Sequence, residues 1–151
     1  MNRIRTILAL AAIALSAIAC EKNDLSQPEE LKEVTANNIS GTWQLHEWDG
    51  AHMLDGTYVY LDIVRNGQTY TMYQNVDSFS DVPHVVTGSY ALITDPALGT
   101  IIRGKYDHDS GEWNHRYIIK RLTADEMLWV QKDDPEKTQL FVRVTSILMT
   151  D

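Results

Sequence analysis

Cysteine, phenylalanine, proline and basic residues are all scarce in this chain of 151 residues. A single cysteine cannot form an intramolecular disulfide, so the fold must be held together by a packed core. The 13 basic residues are outnumbered by 21 acidic ones, which argues against a nucleic-acid partner because phosphates attract lysine and arginine. After residue 19 no apolar run is long enough for a buried helix. These absences favour one small domain rich in strands.

The first 19 residues have the pattern of a secretory signal peptide. Two arginines precede an apolar run at 6–19, which is too short to span a bilayer comfortably. The run ends in Ala17-Ile18-Ala19-Cys20, which resembles the lipobox of bacterial lipoproteins. The resemblance implies cleavage before Cys20 and attachment of acyl chains such as palmitate, which anchor the protein in a membrane. The alternative is an ordinary signal peptide followed by an unpaired thiol.

Removal of this segment leaves a strongly acidic chain. Without Arg3 and Arg5, 11 basic residues remain against 21 acidic ones, a formal charge of −10. That charge argues against docking on anionic lipid through the protein surface. Lys22, followed by Asn23-Asp24, resembles the export signal of surface lipoproteins. We therefore expect an outer-membrane lipoprotein exposed at the cell surface, with the periplasmic face of that membrane as the alternative.

The remaining chain divides into a tether and one domain. We assign residues 1–19 to the signal peptide, 20–38 to the lipidated N-terminus and tether, and 39–151 to a β-barrel domain. Within the tether, Ser26 and Glu29 have the spacing of a helix N-terminus. Few apolar residues follow, so the pattern predicts one or two helical turns or a flexible spacer.

From Ser40 onward the apolar pattern has a period of two residues. Short runs rich in Tyr, Val, Ile, Thr and Trp alternate with turn residues about every ten positions, which indicates an all-β fold. The eight runs are 41–48, 57–65, 68–75, 84–94, 99–107, 113–122, 126–131 and 138–146.

One turn fixes the register of two strands. Asn66-Gly67 lies between alternating runs, and an Asn-Gly pair is a strong hairpin signal because both residues tolerate positive φ. The predicted pairs are Ile63 with Tyr70, Leu61 with Met72, Val59 with Gln74, Tyr60 with Tyr73, and Asp62 with Thr71. The face that carries Val59, Leu61, Ile63 and Met72 is then the interior, and the tyrosine face lies outside, partly solvated.

Eight short antiparallel strands bury one face best by closing into an up-and-down barrel, which also removes exposed edges. The opening Gly41-Thr42-Trp43 resembles the G-x-W motif of lipocalins and related barrels. The resemblance implies a small, antiparallel eight-stranded lipocalin-like barrel with Trp43 across its closed end. It also implies that a basic residue of the last strand, here Arg143, packs over the indole. Alternatively, Trp43 is an ordinary core residue and Arg143 a charge that faces solvent.

Barrel mouths are common ligand sites. Projecting the hairpin register inward predicts a set of ligand-binding residues, two of them near an open end: Leu61, Ile63, Tyr70, Met72 and Gln74, with Tyr90 and Trp113 near the opening. The alternative is a barrel filled by its own side chains, which would use aromatics on its outer wall to bind a partner protein or a glycan. Those aromatics are Trp48, Tyr58, Tyr60, Tyr73 and Trp129.

Catalytic and metal-binding patterns are weak. The histidines at 46, 52, 84, 108 and 115 lack metal-ligand spacing, and no second cysteine exists. Asp107–Glu112 has alternating acids before a glycine, as in half of a calcium loop, but the rest of that motif is missing and a plain hairpin loop is favoured. We expect no catalytic residues, no metal and no cofactor. The predicted function is non-catalytic binding of a small apolar or amphipathic ligand, and the alternative is the interaction protein with a filled barrel.

Overall fold

The computed structural model describes residues 28–76 and 84–149. Within these ranges, one short helix, α1 (Ala36–Ile39), precedes nine strands. They are β1 (Gly41–Trp48), β2 (Ala51–His52), β3 (Val59–Val64), β4 (Thr69–Gln74), β5 (His84–Asp95), β6 (Gly99–Tyr106), β7 (Tyr117–Leu122), β8 (Glu126–Gln131) and β9 (Thr138–Arg143). In this part of the chain no helix has the length and apolar character needed to cross a membrane.

The long strands form a closed antiparallel barrel. β1 and β3 to β9 pair in chain order, and β9 returns to pair with β1, while β2 adds only two residues beside the end of β1. The predicted all-β fold with eight strands in up-and-down order is therefore confirmed. The sixth predicted run was wrong at its start, because 113–116 lie in a loop and only Tyr117–Leu122 form the strand.

The predicted hairpin register is confirmed in full. Ile63 pairs with Tyr70, and the four other predicted pairs follow in step. The turn differs in detail, since positive φ falls at Gly67 and Gln68 rather than at Asn66. The loop spans residues 65–68, so the register that the turn sets is the same.

The predicted helix start at Ser26 lies outside the described residues, and no helix runs through 28–34. The backbone of this segment bonds to the end of β7 instead, because Lys32 N–H donates to the carbonyl of Leu122 at 2.8 Å. A single helical turn follows instead, with Thr35 as its N-cap, whose hydroxyl accepts from the N–H of Asn38. This turn closes one end of the barrel and buries Ile39 completely.

Trp43 fills the closed end above this turn. Its side chain is fully buried, and its indole N–H donates to the carbonyl of Ile39 at 2.9 Å. The guanidinium carbon of Arg143 lies 4.0 Å from the centre of the indole ring. Such a contact is worth roughly 0.5–2 kcal/mol, and we call the two side chains the closed-end plug.

Three backbone carbonyls hold Arg143 in this position. Its Nε donates to Ala124 at 2.7 Å, and its two Nη atoms donate to Ser40 at 2.8 Å and Asn38 at 3.1 Å. Burial lowers the pKa of Arg143, but a guanidinium titrates so far above neutrality that it stays charged. Gly41 completes the arrangement, since it has a φ of 124° and a Cβ there would overlap the guanidinium. The glycine of the G-x-W motif thus makes room for the arginine that covers the tryptophan.

The tyrosine face of β3 is not solvated as predicted. Tyr58 and Tyr60 are each only 4% exposed, and Tyr73 is half-buried. The chain after β9 accounts for part of this burial, because the Tyr60 hydroxyl donates to the carbonyl of Leu148 at 3.1 Å. Tyr60 on the outer face of β3 is therefore covered by the protein itself.

Candidate functional site

The barrel interior has two unlike halves. Toward α1, buried side chains pack directly against one another and against the closed-end plug. These residues include Ile39, Ile63, Tyr90, Ile102, Ile119, Leu122 and Met127. Toward the other end, where β1, β4, β6 and β8 finish, the side chains leave a cavity of about 240 Å³.

The cavity wall is mainly apolar and aromatic. Strands β1, β3, β4, β6, β7, β8 and β9 all contribute, together with the loops at the open end. Its lining residues are Leu45, Trp48, Val59, Leu61, Tyr70, Met72, Gln74, Val76, Tyr106, Trp113, Asn114, His115, Tyr117, Trp129, Gln139 and Phe141. This set of described residues contains no Asp, Glu, Lys or Arg, so a bound molecule would meet no fixed opposite charge.

Five of the seven residues predicted to bind a ligand line this cavity: Leu61, Tyr70, Met72, Gln74 and Trp113. Ile63 and Tyr90 do not line the cavity and are buried in the filled half. Tyr90 was expected near the opening, but its hydroxyl donates to the carbonyl of Val64 at 3.4 Å, at the closed end of β3.

Two tryptophans assigned to the outer wall line the cavity instead. Trp129 is 3% exposed and packs among Trp113, Tyr117 and Phe141, with ring centres 6.0, 5.4 and 4.9 Å away. Trp48 is 45% exposed and forms part of the rim. Both predictions of an outward position were wrong.

An extra residue in β1 explains the position of Trp48. Leu45 pairs with Phe141 and Glu47 with the adjacent Leu140, so His46 is inserted into the ladder as a bulge. A shift of one residue exchanges the two faces of a strand. Trp48, which strict alternation from Trp43 would place outside, therefore faces the cavity.

Two glycines make room for the aromatic wall. Gly88 and Gly104 are buried on β5 and β6, and β5 contributes no side chain to the cavity lining. A Cβ at Gly88 would overlap the carbonyl of Lys105 and the ring of Tyr70, and a Cβ at Gly104 would overlap the indole of Trp113. Tyr70 and Trp113 can thus lie against bare backbone, with the Trp113 N–H donating to the Tyr70 hydroxyl at 2.8 Å.

We expect Gly104→Ala to destabilise the protein by roughly 1–3 kcal/mol, because the added methyl group displaces Trp113 from its place against β6. Chemical denaturation gives the free energy of unfolding, and near-UV circular dichroism reports the changed environment of the indole. In a Trp113→Ala background the clash is absent, so the same substitution should cost much less. An equal cost in both backgrounds would contradict this role of Gly104.

The tyrosine and amide groups of the wall are neutral. Burial raises the pKa of Tyr70, Tyr106 and Tyr117, so these phenols keep their protons at physiological pH. The Tyr70 hydroxyl also donates to the carbonyl of Lys105 at 3.3 Å. Gln74 accepts from the N–H of Val76 at 3.0 Å. These groups can donate or accept hydrogen bonds at the open side of the cavity without adding charge.

The buried indole N–H of Trp129 has no hydrogen-bond acceptor among the described residues. A buried donor left without a partner costs about 1–3 kcal/mol. A molecule that carried an acceptor to this edge of the ring would recover part of that free energy.

A more polar depression of about 370 Å³ adjoins the cavity. The two share Trp48, His115, Tyr117 and Gln139, so this depression forms a vestibule in front of the apolar wall. On its rim Lys137 donates to Asp49 at 3.0 Å, and this contact together with the Thr138 N–H lowers the pKa of Asp49. The charged groups of the vestibule therefore lie outside the cavity itself.

The other residues considered in the sequence are not gathered in one place. Cys20 is outside the described residues. In the loop at 107–111, Asp107 accepts from the Thr87 hydroxyl at 2.7 Å and Asp109 accepts from the N–H of Gly111 at 2.7 Å. His46 and His52 lie close to each other and to the carboxylate of Glu47. His115 lines both the cavity and the vestibule.

The comparisons with known proteins add no family assignment to this geometry. No protein-family model matches the chain, and no curated protein or solved structure matches it significantly.

Proposed function

We propose that this protein is a non-catalytic binding protein that holds a small, uncharged amphipathic molecule in the open half of its barrel. The observation that carries the proposal is the cavity of about 240 Å³ walled by Trp113, Tyr117, Trp129 and Phe141. An engineered protein cavity of about 150 Å³ accommodates benzene. The volume here suits a somewhat larger molecule, with roughly two fused rings or a short chain.

The chemistry of the wall supports a neutral ligand. Burial of an unpaired charge is costly, and no Asp, Glu, Lys or Arg lines the described cavity wall. The apolar part of the ligand would pack against Trp129 and Phe141, and its polar group would face Gln139 and the vestibule. With no serine, threonine, cysteine or carboxylate in this lining, the wall offers groups for binding rather than for nucleophilic catalysis.

The lipocalin-like resemblance supports the same function. At the end of the barrel opposite the cavity, Arg143 packs over the indole of Trp43, as the G-x-W resemblance implies, and Gly41 leaves room for the guanidinium. We further propose that acylation of Cys20 anchors the protein to the outer membrane, with the barrel exposed at the cell surface. In this arrangement the anchor precedes the closed end, and the cavity opens at the other end.

Isothermal titration calorimetry with 2-naphthol tests the binding proposal. Eleven non-hydrogen atoms at roughly 0.5 kcal/mol each give a Kd on the order of 100 µM. The matched control is 2-naphthoate, which has the same rings with a carboxylate and should bind at least about tenfold more weakly because no lysine or arginine lines the described cavity wall. Equal binding of both compounds, or no saturable binding of 2-naphthol, would contradict the proposal.

A further inference from the structure

The hairpin formed by β1 and β2 brings two histidines and a glutamate together. His46, Glu47 and His52 each offer one ligand atom, and these atoms all lie within 4.8 Å of one another. The two imidazole rings meet edge to face with centres 4.8 Å apart, and His52 Nδ1 lies 3.8 Å from Glu47 Oε1. Both histidines are exposed and Glu47 is half-buried, so a solvated ion can reach all three.

Two local features of the chain produce this cluster. The turn at Asp49-Gly50 has φ values of 52° and 78°, which allow a tight reversal that sets Glu47 opposite His52. The inserted residue of β1 is His46, and a bulge redirects side chains so that His46 lies beside the Glu47–His52 pair. The histidine spacing alone does not reveal this arrangement, because the two residues meet across a turn.

We propose that His46, Glu47 and His52 form a binding site for a divalent transition-metal ion such as zinc. Two imidazole nitrogens and one carboxylate oxygen are a common donor set for Zn²⁺, and three protein ligands leave a fourth position open. Calcium and magnesium would be disfavoured because they prefer oxygen ligands throughout.

The surroundings allow the three ligands to close on an ion. Zn–N distances of about 2.0–2.1 Å require tetrahedral ligand atoms to lie roughly 3.4 Å apart, so small side-chain rotations suffice from the present separation. The neighbouring carboxylate of Asp49 does not compete, since it accepts from Lys137 and from the N–H of Thr138, both at 3.0 Å. The site is separate from the cavity, although it adjoins Trp48 on the same strand.

Calorimetric titration of the full-length protein with zinc chloride at pH 7.5 tests this site. The protein is prepared without a polyhistidine tag and stripped with EDTA beforehand. We expect one zinc ion per chain with micromolar affinity, and His46→Ala and His52→Ala should each weaken binding by about tenfold or more. Titration with Co²⁺ adds a visible absorption band that reports the number and geometry of the ligands.

Two variants serve as matched controls. His115→Ala removes an exposed histidine outside the cluster, and Cys20→Ser removes the only thiol. Both should bind zinc as the unmodified protein does, and circular dichroism should show that every variant is folded. The proposal is overturned if zinc does not bind saturably, or if either control weakens binding as strongly as His46→Ala does.

Discussion

Met72→Trp is expected to weaken 2-naphthol binding by more than about tenfold while the barrel stays folded. Met72 lies in the cavity wall on β4, paired with Leu61 of β3 and with Val86 of β5. The larger indole would occupy space that the ligand needs, and its burial adds apolar contact that limits the loss of stability. Calorimetric titration of the variant beside the unmodified protein measures the effect.

The matched control places the same side chain on the other face of the sheet. Val85 lies on β5 next to the Met72 partner and is 57% exposed on the outer face. Val85→Trp should therefore leave 2-naphthol binding unchanged. If both tryptophan variants bind normally, the molecule does not occupy this cavity; if both lose binding together with their fold, the comparison is repeated with Met72→Phe, which should weaken binding less without unfolding the protein.

Trp43→Ala is expected to lower the free energy of unfolding by about 3–5 kcal/mol, the range seen when large aromatic core residues are truncated. The indole is fully buried, holds one end of the barrel closed and carries both the hydrogen bond to Ile39 and the contact with Arg143. Chemical denaturation followed by circular dichroism measures the loss. Because Trp43 is remote from the cavity, variants that remain folded should still bind 2-naphthol.

A double-mutant cycle separates the closed-end plug from an ordinary core contact. Trp43→Leu removes the aromatic ring that the guanidinium covers, whereas Arg143→Met removes the charge and its three hydrogen bonds to carbonyls. We expect a coupling free energy of about 0.5–2 kcal/mol between the two positions. Additive effects, together with a cost below about 1 kcal/mol for Trp43→Ala, would contradict the structural role assigned here.

The sequence predicted the barrel well because its local signals agree with one another. Alternating apolar residues placed the strands, and Asn66-Gly67 placed β3 against β4 in the observed register. The packing of Arg143 over Trp43 was expected from a short motif, and the structure brings these two residues together. Each of these features depends on neighbours in the chain or on a single pair between the adjacent strands β1 and β9.

Three predictions of which way a side chain faces were wrong for physical reasons that local sequence patterns do not show. The inserted His46 leaves no trace in the apolar alternation, so Trp48 was assigned to the wrong face. In β8, Met127, Leu128, Trp129 and Val130 are all apolar, so alternation could not say which of them face inward. Tyr60 is covered by a segment 88 residues further along the chain, and no signal near Tyr60 indicates that contact.

The sequence pattern also could not predict how far along the barrel axis a residue lies. Ile63 and Leu61 alternate identically on β3, yet Leu61 lines the cavity and Ile63 lies in the filled half. A period of two residues distinguishes inside from outside, but it does not indicate where side chains stop filling the interior. The two alternatives of a filled barrel and a barrel with a cavity are therefore both realised, at opposite ends of one molecule.

Native mass spectrometry of the protein purified from the cells that produce it tests the central claim, that the barrel carries a small molecule. We predict a non-covalent adduct that dissociates on denaturation, is retained in Val85→Trp and is missing from Met72→Trp. The mass of any covalent lipid on Cys20 persists after denaturation and is thereby distinguished from the adduct. A bare protein mass under gentle conditions, or an adduct that Met72→Trp retains in full, would contradict the account.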